Sequence, residues 1–197
     1  MSNNTIKLFE SDFYKEQTFE KVKLNNPNVS QIEFYKCTFN ACDFSKTVFE
    51  KCVFEKCVFN GCDFSVAKFK ETAFIDVEFI DCKLLGIDWT LAQKPNGLSF
   101  QKCVLNDSSF YKLELRSSEI TDCIAHNVDF ENTNLTKSNC SKTDFFNAKF
   151  NEADLSSANF TEAINYSINP NNTKIKKAKF SLPEAVSLLD AWDVIID

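Results

Sequence analysis

Along this chain the apolar and polar positions repeat every five residues. From Cys37 to Ser65 the sequence reads CTFNACDFSKTVFEKCVFEKCVFNGCDFS, with a phenylalanine at each fifth position. The series runs through Phe34, Phe39, Phe44, Phe49, Phe54, Phe59, Phe64, Phe69, Phe74 and Phe79, and Leu84 and Trp89 continue it. A second slot, two residues before each centre, holds small or thin side chains: Cys37, Cys42, Thr47, Cys52, Cys57, Cys62, Ala67, Thr72, Val77 and Cys82. The other three positions of each five are mostly polar.

Neither regular element can use this pattern. Five helical steps of about 100° carry a side chain about 140° around the axis, which smears the phenylalanines over every face. On a flat strand five steps reverse the face each time. A chain that turns a square corner every five residues can point every centre at one axis. Four such sides make a coil of 20 residues, in which Phe34, Phe54 and Phe74 stack, as do Phe39, Phe59 and Phe79. The pattern therefore predicts an all-β, four-sided parallel β-helix of about seven to eight coils, a rod about 35–40 Å long if coils pair at strand spacing.

In chain order, residues 1–18 keep the register only through Phe9 and Tyr14 and read as an N-terminal cap or incomplete coil. The coil occupies 19–180, with Asn25, Asn26 and Pro27 absorbed as one side. Phe100 follows Trp89 by eleven residues instead of ten, so the stretch 90–99 carries one extra residue. Pro95 and Gly97 mark a turn there, read as a short bulge. The register then runs from Leu105 to Phe160. Residues 181–197 differ: Ser181 and Glu184 have capping-box spacing, Pro183 suits a first turn, and Val186, Leu189 and Trp192 form a helical stripe with Ala185 and Leu188. This predicts a short C-terminal α-helix followed by an extended Val194, Ile195 and Ile196. The tail reads as a cap, as a dimer interface formed by Leu182, Val186, Leu189, Trp192, Val194, Ile195 and Ile196, or as both.

Composition sharpens this picture. Phenylalanine occurs 21 times against three glycines, and only Phe13 and Phe146 fall off the register. A net charge of -6 argues against direct nucleic-acid binding, which depends on basic residues displacing counterions from phosphates. With no signal-like leader and no long apolar run, the chain reads as a soluble cytoplasmic protein without a membrane partner.

Chemistry is sparse. The nine cysteines are spaced by fives and tens, and His126 is the only histidine. Cys42, Cys62 and Cys82 share a column at a separation a disulfide could span, but their slot also calls for a small core residue, and reduced thiols are the reading adopted. No metal or cofactor site is expected. Phosphate loops and nucleophile elbows are missing from the sequence, and His126, one residue past a centre, is expected to face solvent. The expectation is a protein without enzymatic activity.

Stretches such as AKFNEADLSSANF, with Ala, then Asp, Asn or Lys, then an apolar centre, closely match the A(D/N)LXX consensus. Over roughly 19–180 the chain resembles pentapeptide repeat proteins, whose family fold is a right-handed quadrilateral β-helix. The long coil, the acidic balance and the terminal SLPEAVSLLDAWDVIID are similar to Qnr-type quinolone-resistance proteins that protect DNA gyrase. That resemblance implies a rod-shaped homodimer joined at its C-termini, DNA-like in width and charge, engaging DNA gyrase and topoisomerase IV. On this reading Lys94, Pro95 and Asn96 at the bulge and the outward acids Asp129, Glu131, Asp144, Glu152, Asp154 and Glu162 are candidate contacts. The chain departs from Qnr-type proteins with long projecting loops, offering only the bulge. Its charges scatter in both signs, with a basic cluster at Lys174, Lys176, Lys177 and Lys179. The alternative is a structural or interaction rod with a partner other than a topoisomerase.

Overall fold

A computed structural model describes residues 9–24, 28–192 and 194; of Lys94 only the backbone is described. The chain winds into a parallel β-solenoid of about eight coils, the quadrilateral β-helix expected. Residues one coil apart pair in parallel, Phe13 with Glu33 and Phe34 with Phe54. We number the faces by their inward centres: the first holds Phe34, Phe54 and Phe74, the second Phe39, Phe59 and Phe79, the third Phe44, Phe64 and Leu84, the fourth Phe49, Phe69 and Trp89.

The centres form ring ladders. Phe34 and Phe54 stack at 5.0 Å, Phe39 and Phe59 at 4.7 Å, and Phe110 and Phe130 at 5.2 Å. Neighbouring columns meet edge to face, as Phe34 does with Phe39 at 5.3 Å, the arrangement favoured by the ring quadrupole. All ten phenylalanines from Phe34 to Phe79 are buried, while the two off-register rings, Phe13 and Phe146, are 49% and 58% exposed. At the N-terminal end Phe9 lies buried against Tyr14, Phe19 and Phe34.

The second slot is more than a thin spacer. Cys57 Sγ donates to the Phe34 carbonyl at 3.3 Å and Cys82 Sγ to that of Phe59 at 3.3 Å. Thr72 donates to Phe49 O at 3.1 Å, and Ser108 to Leu84 O at 2.8 Å. Cys, Thr and Ser interchange there because each is small and carries one donor that reaches a buried carbonyl of the preceding coil. All nine cysteines are free and buried. Burial pushes the thiols of Cys57 and Cys140 up to about 12.

Two kinds of side occur, and they differ in the residue that most often stands before the centre. Where it is Val, Thr or Ala, three-residue or longer strands form at many sides, as in Val53–Glu55, Val58–Asn60 and Ala73–Ile80, although Val104 precedes a turned side. Where it is Asp or Asn, its side chain accepts the amide two residues on. Asp63 takes that of Ser65 at 2.8 Å, and Asn134 that of Thr136 at 3.0 Å. A tight turn then closes from the centre carbonyl to the amide three residues later, as from Phe64 to Ala67. On the third face this turn closes at Phe44, Phe64, Leu105 and Phe145, and most sides after Leu105 do the same.

At most corners one residue sits in the left-handed region, and few of these are glycine: Lys36 has φ 52°, Lys51 55° and Asp122 54°. Hydrogen bonding to the next coil offsets the cost, as where Lys36 N donates to Glu55 O at 2.8 Å. The scarcity of glycine follows.

The inserted residue lies where expected but not as a turn. Gln93–Gln101 is one continuous strand. Its pairing shifts from Ala73 opposite Gln93 to Ile75 opposite Asn96, a β-bulge at Lys94 and Pro95. Pro95 is buried, standing in the centre slot above Phe74. A proline fits because the bulge residue is excused from the ladder.

The C-terminal α-helix is corrected to a 3₁₀ helix, Glu184–Trp192. Its capping residues are engaged elsewhere. Ser181 Oγ accepts the Glu162 amide at 2.7 Å and Glu184 Oε1 the Asn165 amide at 3.4 Å, so both side chains terminate the last coil instead of capping the helix. No helix among the described residues is long and apolar enough to cross a membrane.

Candidate interaction surface

The outward acids fall into two groups. Asp129 and Glu131 lie on the fourth face, Glu152 at the corner that follows it, and Asp154 on the first face, so these four surround one edge of the rod. Asp129 accepts the Glu131 amide at 2.9 Å, and Glu131 accepts Asn151 Nδ2 at 2.9 Å. Asp154 lies 3.6 Å from Lys174 Nζ. Burial alone would raise its carboxyl, but the Ser156 hydroxyl and amide and the Lys174 charge together hold it below the usual range. Lysines interleave with these acids: the backbone of Lys149 pairs with that of Asp129 one coil before it, and that of Lys174 with that of Asp154.

The second group is on and beside the third face. Glu162 occupies the corner before it, with φ 60°. Asp144 Oδ2 is 3.0 Å from His126 Nε2 and its Oδ1 accepts Asn165 Nδ2 at 2.8 Å. Burial opposes ionisation of Asp144, and the hydrogen bonds from Asn165 and the Phe146 amide together with the adjacent His126 ring outweigh it, leaving the carboxyl below its ordinary value. His126 is thus not the free surface histidine expected: its ring meets Phe146 edge-on at 5.6 Å, and its amide donates to Asn106.

The bulge places Pro95 inward and leaves Asn96 exposed on the first face. Beside it Gly97, at φ 70°, passes so close to Asp76 that a Cβ would collide with its side chain and lie 3.1 Å from its Cα.

The tail presents apolar groups outward. Leu182, Val186, Leu189, Trp192 and Val194 are exposed, while Leu188 packs on the core. Asn171 Nδ2 donates to Ala191 O at 3.2 Å and holds the helix across the coil end. Ile195 and Ile196 lie outside the described residues. Residue-level reasoning missed one feature, the exposed Ile124, Phe146 and Ile164 on the third face. The off-register Phe146 was the available signal.

Comparison with known proteins agrees with this geometry. The family pattern described as "Pentapeptide repeat region" matches residues 32–95, and "Pentapeptide repeats (8 copies)" matches 114–151 and 126–161. No curated protein matches the chain. Among solved structures, trypsin-treated QnrB1, a plasmid-mediated fluoroquinolone resistance protein, is similar at 16% identity and TM-score 0.60, covering 94% of this chain and 98% of that one. HetL is similar at 17% identity and TM-score 0.64, covering 84% of each chain. It is a pentapeptide repeat protein involved in heterocyst differentiation regulation from the cyanobacterium Nostoc sp. strain PCC 7120. Ring ladders, donor-bearing second slots and matched patterns over both halves lead to one conclusion: the chain belongs to the pentapeptide repeat proteins.

Proposed function

We propose that this protein is a non-enzymatic, DNA-mimicking binding rod that engages a type II topoisomerase, DNA gyrase or topoisomerase IV, and protects it from quinolones. The observation that carries the reading is an even-sided rod of net charge -6 whose one end exposes Leu182, Val186, Leu189 and Trp192. Such an apolar end, capping a charged rod, suits joining two copies end to end. The likeness to QnrB1 supports the fold on which this reading depends. No cofactor enters the proposal, and the cytoplasm, where topoisomerases act, is its proposed location.

The test is a gyrase supercoiling assay titrated with the protein, with and without a fluoroquinolone. Rescue of supercoiling from the drug is expected. No effect on supercoiling and no rescue would overturn the proposal. Sedimentation tests the dimer: the native protein should run as a dimer and Leu189→Asp as a monomer, whereas a monomeric native protein would make the tail a cap alone.

A second reading, an interaction rod for another partner, is favoured by the lysines set among the acids, which interrupt any continuous negative stripe. It predicts unaltered supercoiling together with intact end-to-end dimerisation.

A further inference from the structure

Over six successive coils the third face changes character. In the early coils its outward residues include Asp43, Ser45, Asp63 and Ser65, which close turns. From there on, Val66, Leu85, Val104, Ile124, Phe146 and Ile164 run along it. Val66, Ile124, Phe146 and Ile164 are exposed, and Leu85 and Val104 are half-buried. Val104, Ile124, Asp144 and Ile164 follow one another by parallel bridges, so these side chains lie in adjacent rows. Val66 stands at a corner with φ 59°, a conformation that disfavours a branched side chain. Nothing in the coil asks for valine there, since other corners take Lys, Asp or Asn. In the middle, the His126 ring and its contact with Asp144 brace Phe146.

We propose that this stripe is a docking face for an amphipathic α-helix of another protein, lying along the rod with basic residues flanking its apolar face. Size argues for a slim partner. Six coils at about 4.8 Å span about 24 Å, and a face three residues wide is about 10 Å across, so the patch is roughly 240 Å². Stable association of two rods side by side would need about 800 Å² from each. A helix of about 16 residues covers the length. Pitch fits as well: a helix returns an apolar residue every turn, about 5.4 Å, close to the coil repeat of about 4.8 Å. Charge selects the flanks. Asp81, Asp107, Asp122 and Glu162 border the stripe against Lys102 and Lys142, while Asp144 and Lys83 lie within its rows, an acidic excess that complements lysine or arginine on the helix. The inference is independent of the topoisomerase reading.

The test uses a fluorescein-labelled peptide of about 18 residues with leucine once per helical turn and lysine or arginine on both flanks. A scrambled peptide of the same composition is the control. Anisotropy should report saturable binding of the amphipathic peptide only, with a rise in its helical circular dichroism. Ile124→Asp and Phe146→Asp, which alter exposed side chains, should each weaken binding at least tenfold while leaving the protein's melting temperature unchanged, and Leu189→Asp should bind as the native protein does. The proposal is overturned by no binding, by equal binding of the scrambled peptide, by indifference to both third-face changes, or by loss of binding in Leu189→Asp. It is also overturned if Phe146→Asp turns a native dimer into a monomer, since the occupant would then be a second copy.

Discussion

At the residue scale the five-fold register assigns each side chain a duty, and chemistry within a slot follows from geometry. Phe54 shows the inward duty: it stacks on Phe34 at 5.0 Å and on Phe74 at 5.4 Å, with no exposure to speak of. Phe54→Ala should cost about 3–5 kcal/mol, because rigid coils above and below cannot collapse into the space. Chemical denaturation would measure it, and a loss under about 1 kcal/mol would place the ring outside the ladder. Asp43 shows the outward duty. The Ser45 hydroxyl and the Lys23 ammonium hold its carboxyl at about 2, below its ordinary 3.8. A depressed carboxylate contributes stability above its ordinary value and loses it as pH falls through the folded value. The melting temperature should therefore fall between about pH 4 and pH 2, and less steeply in Asp43→Asn. These duties were legible in the sequence where they concerned volume, as with the phenylalanines. They were hidden where they concerned donors: that Cys57 and Thr72 both feed a carbonyl of the preceding coil requires knowing which carbonyl lies above them.

At the element scale, an Asp or Asn before the centre caps many turned sides, as at Asp63 and Asn134, and the extra residue near Pro95 shows how far the coil bends without breaking. Spacing alone located that insertion. Its form was hidden because Pro95 and Gly97 read locally as a turn, whereas pairing with Ala73–Ile80 keeps the segment extended. Gly97 is needed for room as well as conformation, since Asp76 crowds its α-carbon; Gly61, at φ 60°, meets nothing within 4 Å. Gly97→Ala should lower the melting temperature clearly more than Gly61→Ala, and equal effects would argue against the close approach. The tail was misread for a similar reason. Ser181 and Glu184 have capping spacing, but their partners are the amides of Glu162 and Asn165, about one coil back in sequence.

At the scale of the whole molecule the phenylalanine-rich stretch is scaffold, and function falls to what the register leaves outward. The sequence allowed the acids to be placed on faces one by one. It could not show that Asp129, Glu131, Glu152 and Asp154 surround one edge while Asp144 joins His126, because those relations arise between coils. The central claim is that this rod occupies the DNA-binding surface of a topoisomerase. Direct binding of purified DNA gyrase to the immobilised protein, measured with increasing linear double-stranded DNA in solution, tests it. Saturable binding that DNA displaces competitively is expected. Absence of binding, or binding that DNA leaves untouched, would contradict it.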